Sequence, residues 1–371
     1  MFSGREEPFY SRREACFAGA AALSTFCFSG CKQPLTSQSN DPSRVPRVQS
    51  DELDPHTRGV KLGSNLRPQI HDATTWYHSL FDVNKFPTSK AILEYQSAIK
   101  ELLPHLYQEL QGMAVGAEIS IGELVMLNAR SELLQSMWSE KVAHPSECSA
   151  AWVPQLRCLT QTWDWATESI LWCSVNSITV APDLHATIFT EAGMLGKIGV
   201  NSKGVGVLLT FVDGPVEHRG IPIHLLSRVA LECSSVEEVI NRLCQIPTGS
   251  TGALLVADKN GTSAILEFFG GELSIAKGHE VPMTHTNHLL LSHAKEAIAY
   301  AHPADYEYSV KRQRDLLGLQ LNSVKGGAND VGSAVRSSNV CVSAHQDPFI
   351  GNYGTCAVVT INLAEGSLLL S

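Results

Sequence analysis

The stretch Ser146-Glu147-Cys148-Ser149-Ala150, followed shortly by Gln161-Thr162-Trp163-Asp164-Trp165, decides how the chain is read. A cysteine followed by small residues and then a Trp-Asp-Trp string fits a nucleophile created by cutting the chain in front of it. A thiol at a new N-terminus carries its own base. The α-amino group titrates near roughly 7.7–8.0, close to the pH at which such a base must work. No separate histidine is then required. The plain alternative is a buried thiol, the common fate of a free cysteine, and Cys148 is one of ten in the chain.

Outward from that string, the 371 residues are 44% hydrophobic and 18% charged, an ordinary globular composition with ample material for a core. The formal net charge of −9, without basic clusters, argues against nucleic acid as a partner. Near the start, Ser11-Arg12-Arg13 precedes an apolar, alanine-rich stretch from Ala15 to Phe28 and then Phe28-Ser29-Gly30-Cys31. A basic start, a short apolar region and small residues at its end form an export signal too short to span a bilayer. The Arg pair resembles a twin-arginine signal, and Cys31 stands where a lipoprotein is lipidated. These readings divide the chain into an export signal at 1–30, a tether at 31–53, a helical pro-segment at 54–147 and a catalytic portion at 148–371. The expected address is the membrane surface facing the periplasm or exterior, held by a lipid anchor; the cytoplasm is the alternative should the signal reading fail. Beyond Cys31 the seven remaining cysteines have no tight spacing, so neither a disulfide scaffold nor a zinc site is expected.

Periodicity predicts helices first and strands afterwards. Ala91, Ile92, Tyr95, Ala98, Ile99, Leu102 and Leu106 recur at three- and four-residue spacing, with Pro104 placed to end or kink the helix. A second helix is expected over Ile121–Met137, entered through a Ser120/Glu123 capping box. After Cys148, strands are expected at Ser169–Val180, Ala186–Glu191 and Lys197–Phe211, the last folded over an Asn201–Gly204 turn. A helical pair over Pro222–Gln245, a hairpin over Ala253–Phe269, a helix over Asp305–Leu319 and a closing hairpin complete the pattern. Strand clusters split by helical pairs predict an α+β fold of stacked antiparallel sheets covered by helices.

Several strings then line up with one family. Leu106-Tyr107-Gln108-Glu109-Leu110-Gln111-Gly112-Met113-Ala114 and Leu127-Asn128-Ala129-Arg130-Ser131-Glu132 precede the cysteine. Gly193-Met194-Leu195-Gly196-Lys197-Ile198-Gly199-Val200-Asn201, Gly220-Ile221-Pro222-Ile223-His224 and His285-Thr286-Asn287-His288 follow it. In order and spacing the chain resembles the acyl-coenzyme A:6-aminopenicillanic acid acyltransferase family of N-terminal nucleophile hydrolases, from about Asp54 onward. The resemblance implies a four-layer αββα sandwich and self-cleavage between Glu147 and Cys148, with the two pieces staying together as a heterodimer. It further implies Cys148 as nucleophile, Asp164 as the acid holding its α-amine, and Asn287 as a side-chain donor to the tetrahedral oxyanion. Glu132, Asn201 and Glu267 match family positions and are read as structural.

The expected activity is cleavage of a linear amide, or transfer of its acyl group, through a Cys148 thioester, with a small-molecule amide or acyl donor as partner. No cofactor and no metal are expected; His285 and His288 lack a third ligand at recognisable spacing. Two alternatives stand beside this reading. One is an intact-chain Cys–His hydrolase using His285 or His224, and the other a lipid-anchored binding protein with the same fold.

Overall fold

The computed structural model describes residues 44–83, 88–138, 148–293 and 303–371. The export signal, Cys31 and Glu147 lie outside the described residues. The first described strand, β1 (Arg47–Ser50), falls within the segment read as a tether and pairs in parallel with β4 (Cys173–Ala181). Asp54 then caps α1 (Pro55–Asn65) by accepting from the Thr57 N–H at 2.7 Å. The helices α2 (Arg67–Val83), α3 (Ser89–Leu102) and α4 (Pro104–Ala117) follow, the last two divided at Leu103 just before Pro104. The capping box forms as read, with Ser120 and Glu123 bonded to each other's main chain. The expected single helix behind it is two, α5 (Ile121–Asn128) and α6 (Arg130–Trp138). Asn128 causes the break: its side chain donates to the Leu124 and Gly193 carbonyls, both at 2.8 Å, and accepts from Leu195 N at 3.0 Å.

Helices α1 and α4 cross at very close range because both present glycines to the contact. A Cβ on Gly59 would lie 2.0 Å from the Glu109 carbonyl oxygen, and one on Gly112 would lie 1.9 Å from that of His56. Beside this crossing, Glu109 lies fully buried between Arg58 at 2.7 Å and Arg228 at 3.1 Å. Burial alone would raise the Glu109 carboxyl; the two guanidiniums overcome it and hold it below the ordinary range. Arg228 belongs to α7 (Ile223–Ala230), so this ion triad ties the N-terminal helices to a helix of the later part of the chain.

Residues 148–371, joined by β1 at one edge, form two sheets. The order β1-β4-β5-β6-β7-β8-β9-β10 describes the larger one, with β5 (Leu184–Glu191), β6 (Ile198–Asn201), β7 (Val205–Phe211), β8 (Gly252–Asp258), β9 (Thr262–Phe269) and β10 (Glu272–His279). All its pairings except β1–β4 are antiparallel. The smaller sheet runs β11 (Met283–His285), β2 (Ser149–Val153), β3 (Cys158–Ala166), β13 (Gly351–Asn362) and β12 (His345–Asp347), with β14 (Ser367–Leu370) on β13. The strand expected from Ser169 begins only at Cys173, because Thr167–Trp172 winds into a 3₁₀ turn. The sheets stack face to face. Trp163 meets Phe189 at 5.4 Å between centroids, and Gln161 exchanges two hydrogen bonds with the Leu209 main chain. Helices α7 and α8 (Val236–Leu243) cover the larger sheet; α9 (Pro303–Gly318) and α10 (Ala328–Arg336) cover the smaller. The result is the α+β sandwich expected, in four layers.

Candidate active site

Cys148 enters β2 at the edge of the space between the sheets. The pairing of Ser149 with Thr162 sets it across from Trp163, on the inner face of the smaller sheet. Its main-chain N–H donates to Asn287 Oδ1 at 2.8 Å. Asn287 follows β11, and its own N–H is fixed by Ser309 Oγ of α9 at 2.8 Å. One turn further along α9, Arg312 donates to Asn287 Oδ1 at 2.7 Å, to the Cys148 carbonyl at 3.2 Å and to Ser149 Oγ at 3.0 Å. Arginine and main-chain N–H are donors only, so they determine which end of the Asn287 carboxamide faces the cysteine. The amide end donates one N–H to the Phe211 carbonyl at 2.6 Å.

Asp164 is buried on β3. Its carboxylate accepts from Thr162 Oγ1 at 3.0 Å and from Thr355 Oγ1 on β13, so it fastens the strands around the nucleophile. Thr162 Oγ1 in turn accepts from the Ser149 N–H at 3.0 Å. The part of Asp164 aimed at the thiol is its main-chain N–H. Burial and the Asp164 charge push the Cys148 thiol up to about 11, against the pull of that N–H, Lys197 and Arg312.

Beneath the thiol, each tryptophan of the Trp163-Asp164-Trp165 string carries a cation on its face. Lys197 Nζ sits 3.9 Å from the Trp163 ring and the Arg130 guanidinium 4.9 Å from that of Trp165. Both cations converge on Glu191, at 2.7 and 2.9 Å, with the Tyr77 hydroxyl donating to its other oxygen at 2.7 Å. Burial opposes ionisation of Glu191, yet Arg130 and Lys197 hold its carboxyl at about 2. Lys197 and Arg130 lie within strings already noted in the sequence. Arg312 had no such signal.

The remaining candidates lie apart from the nucleophile's clamp, most of them with partners of their own. His285 directs its ring nitrogens at Thr210 Oγ1 (2.7 Å) and Glu267 Oε1 (3.0 Å), and His224 is fully buried on α7, where burial holds it neutral. His288 Nδ1 lies 2.8 Å from Ser309 Oγ. Glu267 accepts the main-chain N–H groups of Leu290, Leu291 and Ser292, which pins the loop that carries Asn287. Glu132 accepts from Ile223 N and Ser250 Oγ. Asn201 builds the β6–β7 turn and donates to the Leu231 and Cys233 carbonyls. Among the described residues no group of three or more His, Cys, Asp or Glu side chains is placed to hold a metal ion.

Cys148 thus has both its main-chain nitrogen and its carbonyl clamped, beside two stacked sheets. Residues 154–318 match the family described as acyl-coenzyme A:6-aminopenicillanic acid acyl-transferase. It is 28% identical over 247 residues to the acyl-coenzyme A:6-aminopenicillanic-acid-acyltransferase 40 kDa form of Emericella nidulans, spanning 64% of this chain and 67% of that one. Among solved structures, penicillin V acylase from Agrobacterium tumefaciens overlaps 60% of this chain and 82% of its own at 15% identity, with a TM-score of 0.41. A variant of conjugated bile acid hydrolase from Clostridium perfringens overlaps 60% and 88% at 13% identity, with a TM-score of 0.42.

Proposed function

We propose that the chain cuts itself between Glu147 and Cys148 and then acts as an N-terminal cysteine amidohydrolase or acyltransferase. The observation that carries this reading is the bond from Cys148 N to Asn287 Oδ1, with Arg312 bracing the same oxygen. A nitrogen that becomes a free amine needs an acceptor that keeps it beside the sulfur, and this one is already in place.

In self-cleavage, Sγ attacks the Glu147 carbonyl carbon, the C–N bond breaks, and the thiol proton ends on the Cys148 nitrogen. Water hydrolyses the resulting thioester, freeing the Glu147 carboxylate and the thiol. In turnover, the α-amine accepts the thiol proton as Sγ adds to the substrate carbonyl, then passes it to the leaving amine. The Arg312 charge beside that amine favours its neutral, proton-accepting form. The Asn287 amide has two N–H bonds; one serves Phe211 and the second is the donor we assign to the oxyanion. Asp164 acts by fixing β2 against β3 and β13 and by presenting its N–H to the sulfur. Water then resolves the thioester, or an amine acceptor where one is bound.

Mass spectrometry tests the reading directly: a fragment beginning at Cys148 is expected, and Cys148→Ala abolishes it. An unsplit, fully active chain would sink the mechanism. The order of residues 11–31 supports export and lipidation at Cys31 as part of the same proposal. Unchanged membrane recovery of a Cys31→Ala variant would remove that part.

A further inference from the structure

The cation pair beneath the nucleophile has no role in holding the amine or the strands, yet four buried residues from both portions converge to fix it. Glu191 and Lys197 come from the catalytic portion, Tyr77 and Arg130 from the pro-segment. Lys197 rests on the ring of Trp163, the residue the β2–β3 register sets opposite Cys148, on the same inner face. Its side chain is almost wholly buried; burial and Arg130 work against its charge and Glu191 supports it, so Glu191 fixes both its position and its protonation.

We infer that Lys197, clamped by Glu191 against Trp163, is an electrostatic positioning residue whose charge stabilises the sulfur anion of Cys148 as it attacks. The cluster carries two cations and one carboxylate, a net charge of +1 facing the thiol. Asp164 faces the same sulfur with a negative charge and Arg312 with a positive one from α9. The pro-segment therefore contributes to the site itself, since Arg130 shares the carboxylate that holds Lys197. The inference rests on Cys148 being the nucleophile.

The charge count yields opposite effects from two substitutions in one ion cluster. Lys197→Met keeps an apolar stem over Trp163 and takes the cluster to zero. Glu191→Gln takes it to +2 in the pH range where Lys197 keeps its proton. The readout is the pH dependence of Cys148 alkylation by iodoacetamide, followed on the Cys148 peptide by mass spectrometry, on variants first shown to be folded by thermal melting. Lys197→Met is expected to raise the midpoint by about one pH unit or more and Glu191→Gln to lower it. Lys197→Arg should restore the wild-type midpoint. A merely structural cluster would move both midpoints the same way or neither, and that result overturns the inference. Should Glu191→Gln fail to fold, Lys197→Met against Lys197→Arg decides alone, an unchanged midpoint in Lys197→Met being the refuting outcome. Alkylation reads the thiol in cut and uncut chains alike, compared within one form. A shifted midpoint in a chain that never cuts itself would keep this inference and discard self-cleavage.

Discussion

Replacing Asn287 by aspartate separates two roles that one side chain is asked to play. The carboxamide oxygen accepts from Cys148 N at 2.8 Å and from Arg312 at 2.7 Å. Aspartate keeps both bonds and strengthens the second, because its acceptor is charged. It loses the amide, which bonds the Phe211 carbonyl at 2.6 Å and supplies the donor assigned to the oxyanion. Two oxygens left facing each other there cost about 1–3 kcal/mol of stability, tolerable for a domain of this size. Loss of the donor is worth far more to the reaction, about 10²–10³ in kcat, or roughly 2.7–4 kcal/mol. Asn287→Asp should therefore still cut itself and still hold its amine, while turning over a series of acyl nitroanilides of graded chain length at about 1% of the wild-type rate or less. Asn287→Ala, which removes the acceptor as well, should lose self-cleavage too. The assays are intact mass against time and nitroaniline release per folded molecule. Full turnover by Asn287→Asp would show that the oxyanion is held by something else.

Three further outcomes follow from the buried charges and the glycine crossing. Gly112→Ala forces a Cβ to within 1.9 Å of a main-chain oxygen that no rotamer can move, so α1 and α4 must part. The expected loss is about 1–3 kcal/mol or more in urea unfolding, against less than about 0.5 for Gly318→Ala, which meets nothing within 4 Å. Glu109→Leu leaves Arg58 and Arg228 buried without their shared carboxylate; a loss of about 3–5 kcal/mol is expected, and the cut pieces should separate on size exclusion at lower urea than wild type. Glu191 is held at about 2, below the roughly 4.3 of an unfolded glutamate, so its contribution to stability is fully present above that value and is lost as pH falls toward 2. Acid melting of Glu191→Gln should accordingly be flatter than wild type between about pH 4.5 and 2.

What the sequence revealed, and what it hid, divides along the range of the forces involved. The Ser120 capping box and the Asn201 turn are short-range, and both were legible. The break after Asn128 was not, because the helix is interrupted by bonds to Gly193 and Leu195, some 65 residues away. Residues Arg47–Ser50 look like linker and become a strand only because β4 offers an edge. Arg312 was hidden for a related reason. In α9 it stands beside Lys311 and near Arg314 and Asp315, which reads as a solvated charged face. Lys311 does pair with Asp315 at the surface, whereas Arg312 turns inward and is 1% exposed. Asp164 and Asn287 were found through family strings, but the atoms that meet Cys148 are a main-chain N–H and a carbonyl oxygen, which no residue letter encodes.

The high thiol pKa gives a physical reason for tying activity to a cut. At about 11, only about one Cys148 in ten thousand would be ionised at pH 7 in the uncut chain. The histidines offer no relief, since His285 is committed to Thr210 and Glu267 and His224 is kept neutral by burial. The sulfur is thus a slow nucleophile, sufficient on our reading for one attack on the adjoining Glu147 carbonyl, and it gains its base for repeated turnover from the amine which that cut releases. Holding the thiol neutral, with Asp164 opposing the anion and Lys197 and Arg312 favouring it, lets a single proton transfer switch the site on. A site that relied on a pre-formed thiolate would need no such switch, and would expose a reactive sulfur in the precursor.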